Sequence, residues 1–210
     1  MIHENQLEVA IKASYYTLNE LTNQTERVWL VFHGQGQLAQ YFIKKFEVLD
    51  ARKNFVIAPQ GLSKYYLQGF SGRVGASWMT KEDRLTEIAN QYTYVKAVLD
   101  QFDINGKSLI YFGFSQGAAT VGRFAASAKI SFEKMILWAG TFPPDTSPEE
   151  WNYLSGTEEA HYYFSKEDVF FKEGMVDQQK QVIKTATGLD PALHWYEGGH
   201  RVISELLHEI

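Results

Sequence analysis

The 210-residue chain contains no cysteine. Disulfides, a thiolate nucleophile, cysteine-ligated zinc and iron–sulfur clusters are therefore excluded. Positive charge is not in surplus: 20 basic against 25 acidic side chains leave a net charge of −5. A basic face for phosphates is not expected, and nucleic acid is disfavoured as a partner. Long apolar runs are missing as well. The longest, Val28 to Phe32, is far short of the roughly 20 residues that span a bilayer, so no stable membrane insertion is expected. The start, Met1 to Leu21, is polar and alternating. It has no basic stretch followed by an apolar one, so no signal peptide is expected and a cytoplasmic location is the default. There is no repeat of fixed period and no low-complexity tract.

What is present is an ordinary globular composition, 45% hydrophobic and 21% charged, long enough to bury a core as a single domain over residues 1–210. Leu7 to Ile11 alternates apolar and polar, and Ser14 to Leu18 does so more weakly, which predicts an N-terminal hairpin or edge strand. Arg27 to Phe32 and Asn54 to Ala58 are near-continuous apolar runs, as expected of strands buried on both faces. Ser108 to Phe112, Lys134 to Ala139, His161 to Phe164 and Leu193 to Tyr196 read as further strands. Between them, Leu38 to Leu49, Leu85 to Leu99, Gln116 to Ala128 and Gly174 to Thr187 read as helices, with a last helix from Ile203 to Ile210. Gly61 to Thr80 has no period and reads as a long loop. Strands alternating with helices predict an α/β fold with a mostly parallel central sheet and helices on both faces. A chain of this length has no room for a large cap domain.

Gly113-Phe114-Ser115-Gln116-Gly117 fits G-x-S-x-G. A buried strand precedes it and a helix follows, which is the context the motif requires. A sharp strand-to-helix turn would project the Ser115 hydroxyl over a helix N-terminus, whose partial positive charge favours an oxyanion. Serine is a poor nucleophile without a base. His200, in Gly198-Gly199-His200 after the last strand, is the candidate base. His194 lies within a strand pattern, His208 on the terminal helix, and His3 and His161 in poor positions. His33 belongs to another motif. The acid should follow the fifth apolar strand, where Glu167 and Asp168 both qualify. Adjacent residues cannot both point at one imidazole, and Asp168 is preferred, with Glu167 the alternative. Its role would be to fix the imidazole tautomer. His33-Gly34-Gln35-Gly36 follows the first central strand and could offer the Gln35 backbone N–H to an oxyanion, with the Gln116 N–H as second donor.

In the order "VFHGQG", "GFSQGAA", "WAGTFPP", "SKEDVFF", "GGHRV", these segments resemble the phospholipase/carboxylesterase family of the α/β-hydrolases, the group that includes acyl-protein thioesterases. Ala118 and Ser165 stand where the family commonly has glycine. The resemblance implies a serine esterase or thioesterase with a triad of Ser115, Asp168 and His200, an acyl-enzyme intermediate and no cofactor.

With an open cleft, the expected substrates are esters of small soluble molecules. Acyl thioesters or lysophospholipids on the same triad are the alternative. Trp78, Met79 and Phe142 are candidate pocket residues, with Tyr65, Tyr66 and Phe70 as a rim. Trp78 could equally anchor its loop to the core. A homodimer is possible. Gly34-Gln35-Gly36-Gln37-Leu38-Ala39 also fits a dinucleotide fingerprint, but the acid that should end the next strand is replaced by Pro59-Gln60-Gly61. No HExxH or clustered ligand set argues for a metallohydrolase, so no metal is expected and activity should survive EDTA. A non-catalytic relative that only binds ligands is the rival from another class.

Overall fold

Nine strands and four α-helices follow one another along the chain in a computed structural model that describes residues 1–210. In chain order the elements are β1 (Tyr15–Leu18), β2 (Arg27–Phe32), α1 (Ala39–Phe42), β3 (Asn54–Pro59), β4 (Ser63–Tyr66), β5 (Val74–Ser77), α2 (Arg84–Leu99) and β6 (Ser108–Phe114). Then come α3 (Gln116–Ala128), β7 (Lys134–Trp138), β8 (Glu159–Phe164), α4 (Met175–Thr187) and β9 (Ala192–Trp195). Seven strands form one sheet in the order β1-β3-β2-β6-β7-β8-β9. Every pairing is parallel except β1 with β3.

The apolar runs account for this arrangement. Side chains alternate across a strand, so a run such as Val28–Phe32 supplies both faces. Val28, Leu30 and Phe32 pack on one side with Val95, Val98 and Leu99 of α2, Val121 and Phe124 of α3 and Ile183 of α4. Trp29 and Val31 pack on the other with Phe42, Ile43, Phe46, Leu207 and Ile210. Burial on both faces is what a parallel sheet covered by helices demands.

The chain moves from β2 to β3 on one side and then to β6 on the other. The loops leaving the C-terminal ends of β2 and β6 therefore part company. Such a switch point opens a crevice at that sheet edge.

Four elements differ from the sequence expectation. Leu7, Val9 and Ile11 are exposed and form no strand, leaving β1 alone at the N-terminal edge; alternation makes an apolar face but supplies no partner strand. The helix expected from Leu38 to Leu49 is only α1 followed by a 3-10 turn, Ile43–Phe46. The C-terminal helix is likewise a 3-10 segment, Ser204–Glu209. The stretch expected to be a loop from Gly61 to Thr80 contains the antiparallel hairpin β4–β5. No helix is long and apolar enough to cross a membrane.

Candidate active site

β6 ends at Phe114 and α3 starts at Gln116, so Ser115 alone makes the turn. Its backbone sits at φ 54° and ψ −118°, a strained position for a residue with a side chain. The turn is tight on all sides. A Cβ at Gly113 would collide with the Gly117 carbonyl, one at Gly117 with the Phe32 carbonyl, and one at Gly140 with the Ser115 carbonyl. The Ser115 N–H donates to the Trp138 carbonyl at 2.9 Å, which ties the turn to β7. Gly140 did not emerge from sequence reasoning as a site residue. Its signal was its place directly after a buried strand, in Trp138-Ala139-Gly140.

Ser115 Oγ lies 2.9 Å from His200 Nε2, and His200 Nδ1 lies 2.6 Å from Asp168 Oδ2. A carboxylate can only accept, so Nδ1 carries the proton and Nε2 is free to accept from the Ser115 hydroxyl. The second Asp168 oxygen accepts the Phe170 N–H at 2.8 Å. Asp168 is buried while Ser115 and His200 are partly exposed. The imidazole packs against the rings of Phe114 and Phe170, with centroids 4.9 Å and 4.8 Å away. Glu167 does not meet the imidazole. Its Oε2 accepts the Gly198 N–H at 2.7 Å.

The loop after β2 faces this array. Gln35 is exposed at its crest, and its N–H makes no hydrogen bond within the protein. The Gln116 N–H opens α3, where the first amides of a helix lack intrahelical partners. The Gly34 N–H donates to Gln37 Oε1 at 2.9 Å. Beneath the loop, His33 is fully buried. Its Nδ1–H donates to the Gly34 carbonyl at 2.8 Å and its Nε2 accepts the Gly61 N–H at 3.0 Å. Burial pushes its pKa down to about 4, partly offset by the bond to Gly34. His33 is thus a neutral strut for the loop.

Two of the expected pocket residues lie elsewhere. Trp78 is completely buried; its Nε1–H donates to the His33 carbonyl at 2.7 Å and its ring packs at a tilt against His33 and Phe32. Phe142 is buried against Trp151. Neither presents a surface to a substrate. Both are apolar groups with buried neighbours, and the core claims them. Met79 is partly exposed, and its carbonyl accepts from Gln116 Nε2 at 2.9 Å. Gln116 Oε1 accepts the Trp78 N–H at 2.9 Å. The Gln116 side chain, not singled out from the sequence, therefore fastens the end of the hairpin to the serine turn. Tyr65, Tyr66 and Phe70 are exposed on that hairpin, which pairs with the loop after β2 through the Gly36 N–H and the Ala76 carbonyl at 2.8 Å.

No family model matches the sequence, and no curated protein is similar to it in sequence. Solved structures do match in shape. Acyl-protein thioesterase 2 of Zea mays superposes with a TM-score of 0.72 at 16% identity, over 94% of this chain and 96% of that one. The carboxylesterase of Bacillus cereus gives 0.64 at 12% identity, over 94% and 91%. A phospholipase/carboxylesterase from Dyadobacter fermentans gives 0.63 at 14%, over 94% of each. The chain has the α/β-hydrolase fold. Within that fold, a hydroxyl on an imidazole whose far nitrogen is held by a carboxylate can be activated as a nucleophile. Nearby N–H groups without partners can receive the oxyanion that such an attack creates.

Proposed function

We propose that the protein is a serine hydrolase that cleaves carboxylic esters of small soluble substrates through an acyl-enzyme. In this reading Ser115 attacks the acyl carbon while His200 Nε2 takes its proton. The imidazolium, steadied by Asp168, then returns the proton to the leaving alkoxide. The Gln35 and Gln116 N–H groups stabilise the tetrahedral oxyanion. Water, deprotonated by the same imidazole, attacks the acyl-serine and restores the free hydroxyl. None of these steps calls for a cofactor. The observation that carries the reading is the unbroken hydrogen-bond chain from Ser115 through His200 to Asp168, at 2.9 and 2.6 Å, on a strained serine turn.

Acyl thioesters are a second substrate class for the same array.

The test is covalent labelling by a fluorophosphonate, followed by turnover of p-nitrophenyl esters of graded chain length and of acyl thioesters. Labelling of wild type but not of a folded Ser115→Ala variant is expected, with turnover reduced on the order of 10⁴-fold or more in the variant. Equal turnover by a folded Ser115→Ala protein would remove the proposal, and a wild type that never labels would favour a ligand-binding role.

A further inference from the structure

The loop after β8 carries two adjacent carboxylates, and both reach the same neighbouring loop. Asp168 meets the His200 ring, while Glu167 Oε2 accepts the N–H of Gly198, two residues earlier, at 2.7 Å. Gly198 and Gly199 sit at φ 121° and 70°, where glycine is at ease and other residues are not. A glycine pair gives the backbone before His200 an unusually wide choice of paths, so the path taken has to be imposed from outside. The sheet side imposes part of it. The Tyr196 hydroxyl donates to the Gly199 carbonyl at 2.9 Å, and Trp138 Nε1 donates to the Arg201 carbonyl at 3.0 Å. Both of those bonds grip carbonyls. The Gly198 N–H is gripped by Glu167, from the same loop that carries Asp168.

Glu167 is itself well placed to do this. Its N–H donates to Oγ of the buried Ser165 at 3.2 Å, and the Asp168 N–H donates to the Ser165 carbonyl at 3.2 Å. Its neighbour Lys166 is drawn to the Trp195 ring, 5.1 Å from the ring centre.

We infer that Glu167 is a positioning residue for His200: its carboxylate holds the Gly198 backbone so that the imidazole meets Ser115 and Asp168 together. This rests on the Ser115–His200–Asp168 reading above. Glu167 is exposed, so the bond adds little to global stability. Its effect belongs in the placement of the ring, where a small displacement lowers the rate steeply.

The test uses Glu167→Ala and Glu167→Gln in the full chain. Glutamine keeps an acceptor oxygen for the Gly198 N–H but removes the charge. Three quantities are read: kcat and KM on a p-nitrophenyl ester, the melting temperature, and the low-field proton resonance of His200 Nδ1–H in water. Glu167→Ala should lower kcat about 10- to 100-fold with KM and melting temperature nearly unchanged. Its Nδ1–H resonance should broaden or shift as the bond to Asp168 loosens. Glu167→Gln should recover most of kcat and the wild-type resonance. An alanine variant with unaltered kcat and resonance overturns the inference. So does a glutamine variant as impaired as alanine, which would make the charge rather than the Gly198 bond the active feature. A lower melting temperature with kcat per folded molecule unchanged overturns it too, by showing a merely structural bond. The resonance is read without turnover, so the tie between Glu167 and His200 is tested even if the ester-cleaving reading fails.

Discussion

Asp168 has one oxygen on the His200 ring and the other on the Phe170 N–H, and this division predicts how an amide would fail there. In Asp168→Asn the side-chain carbonyl remains the suitable acceptor for Phe170, which turns the NH2 group towards the imidazole. Nδ1 must then accept, the ring proton moves to Nε2, and Nε2 can no longer take the Ser115 proton. A loss of about 10⁴-fold in kcat is expected with the fold retained. Steady-state kinetics beside a circular-dichroism melt would check it, and a kcat within tenfold of wild type would contradict the assignment of Asp168. The serine and the histidine of this array are legible in the sequence, because a strand–GFSQG–helix pattern and a glycine pair after the last strand each mark a sheet edge. The choice between two adjacent acids is legible only in part, since the sequence favours Asp168 but leaves Glu167 open. It is made by the turn from Ser165 to Phe171, where the Phe171 N–H returns to the Asp168 carbonyl at 2.9 Å, and such a turn leaves no periodic trace.

Among the elements, the parallel strands were legible and the hairpin was not, for one physical reason. Strands buried on both faces must be apolar throughout, so the run from Arg27 to Phe32 announces β2. β4 is exposed at every position and is held by pairing with β5 and by the bridge between Ala76 and Gln37, so its residues carry no burial signal. The same gap explains why the sequence leaves Trp78 open between a pocket residue and an anchor of its loop to the core. Its place just after β5 puts it near the sheet edge, but its indole finds the His33 carbonyl inside. Trp78→Ala should therefore destabilise the protein by about 3–5 kcal/mol, the usual cost of a large core truncation, rather than lengthen the preferred acyl chain. Urea denaturation checks the first part and a chain-length profile the second. A stable variant with a shifted profile would return Trp78 to the pocket.

At the scale of the whole molecule, the buried strut beneath the loop after β2 makes stability depend on pH. His33 has its pKa pushed down to about 4 by burial, against about 6.5 in the unfolded chain. Between those values the unfolded state binds a proton that the folded state refuses. Stability therefore rises with pH across that window and is lost as pH falls from 6.5 towards 4. Linkage puts the loss at about 2 kcal/mol by pH 5 and about 3 kcal/mol by pH 4. His194, held below its usual value by burial and by the nearby His161, adds in the same direction. Asp145 acts lower on the scale. Its partial burial pushes the pKa up, but hydrogen bonds and charge from Arg123 and Arg84 outweigh this and hold it below the usual carboxylate range. Its contribution is present above the unfolded carboxylate pKa and lost only below it. The two kinds of group can thus be told apart by where the curve bends. Urea denaturation at closely spaced pH values should show a decline that begins near pH 6.5, before carboxylates protonate. A stability curve flat from pH 7 to pH 4.5 would show that His33 titrates normally in the folded protein, and would remove it as the strut of the loop.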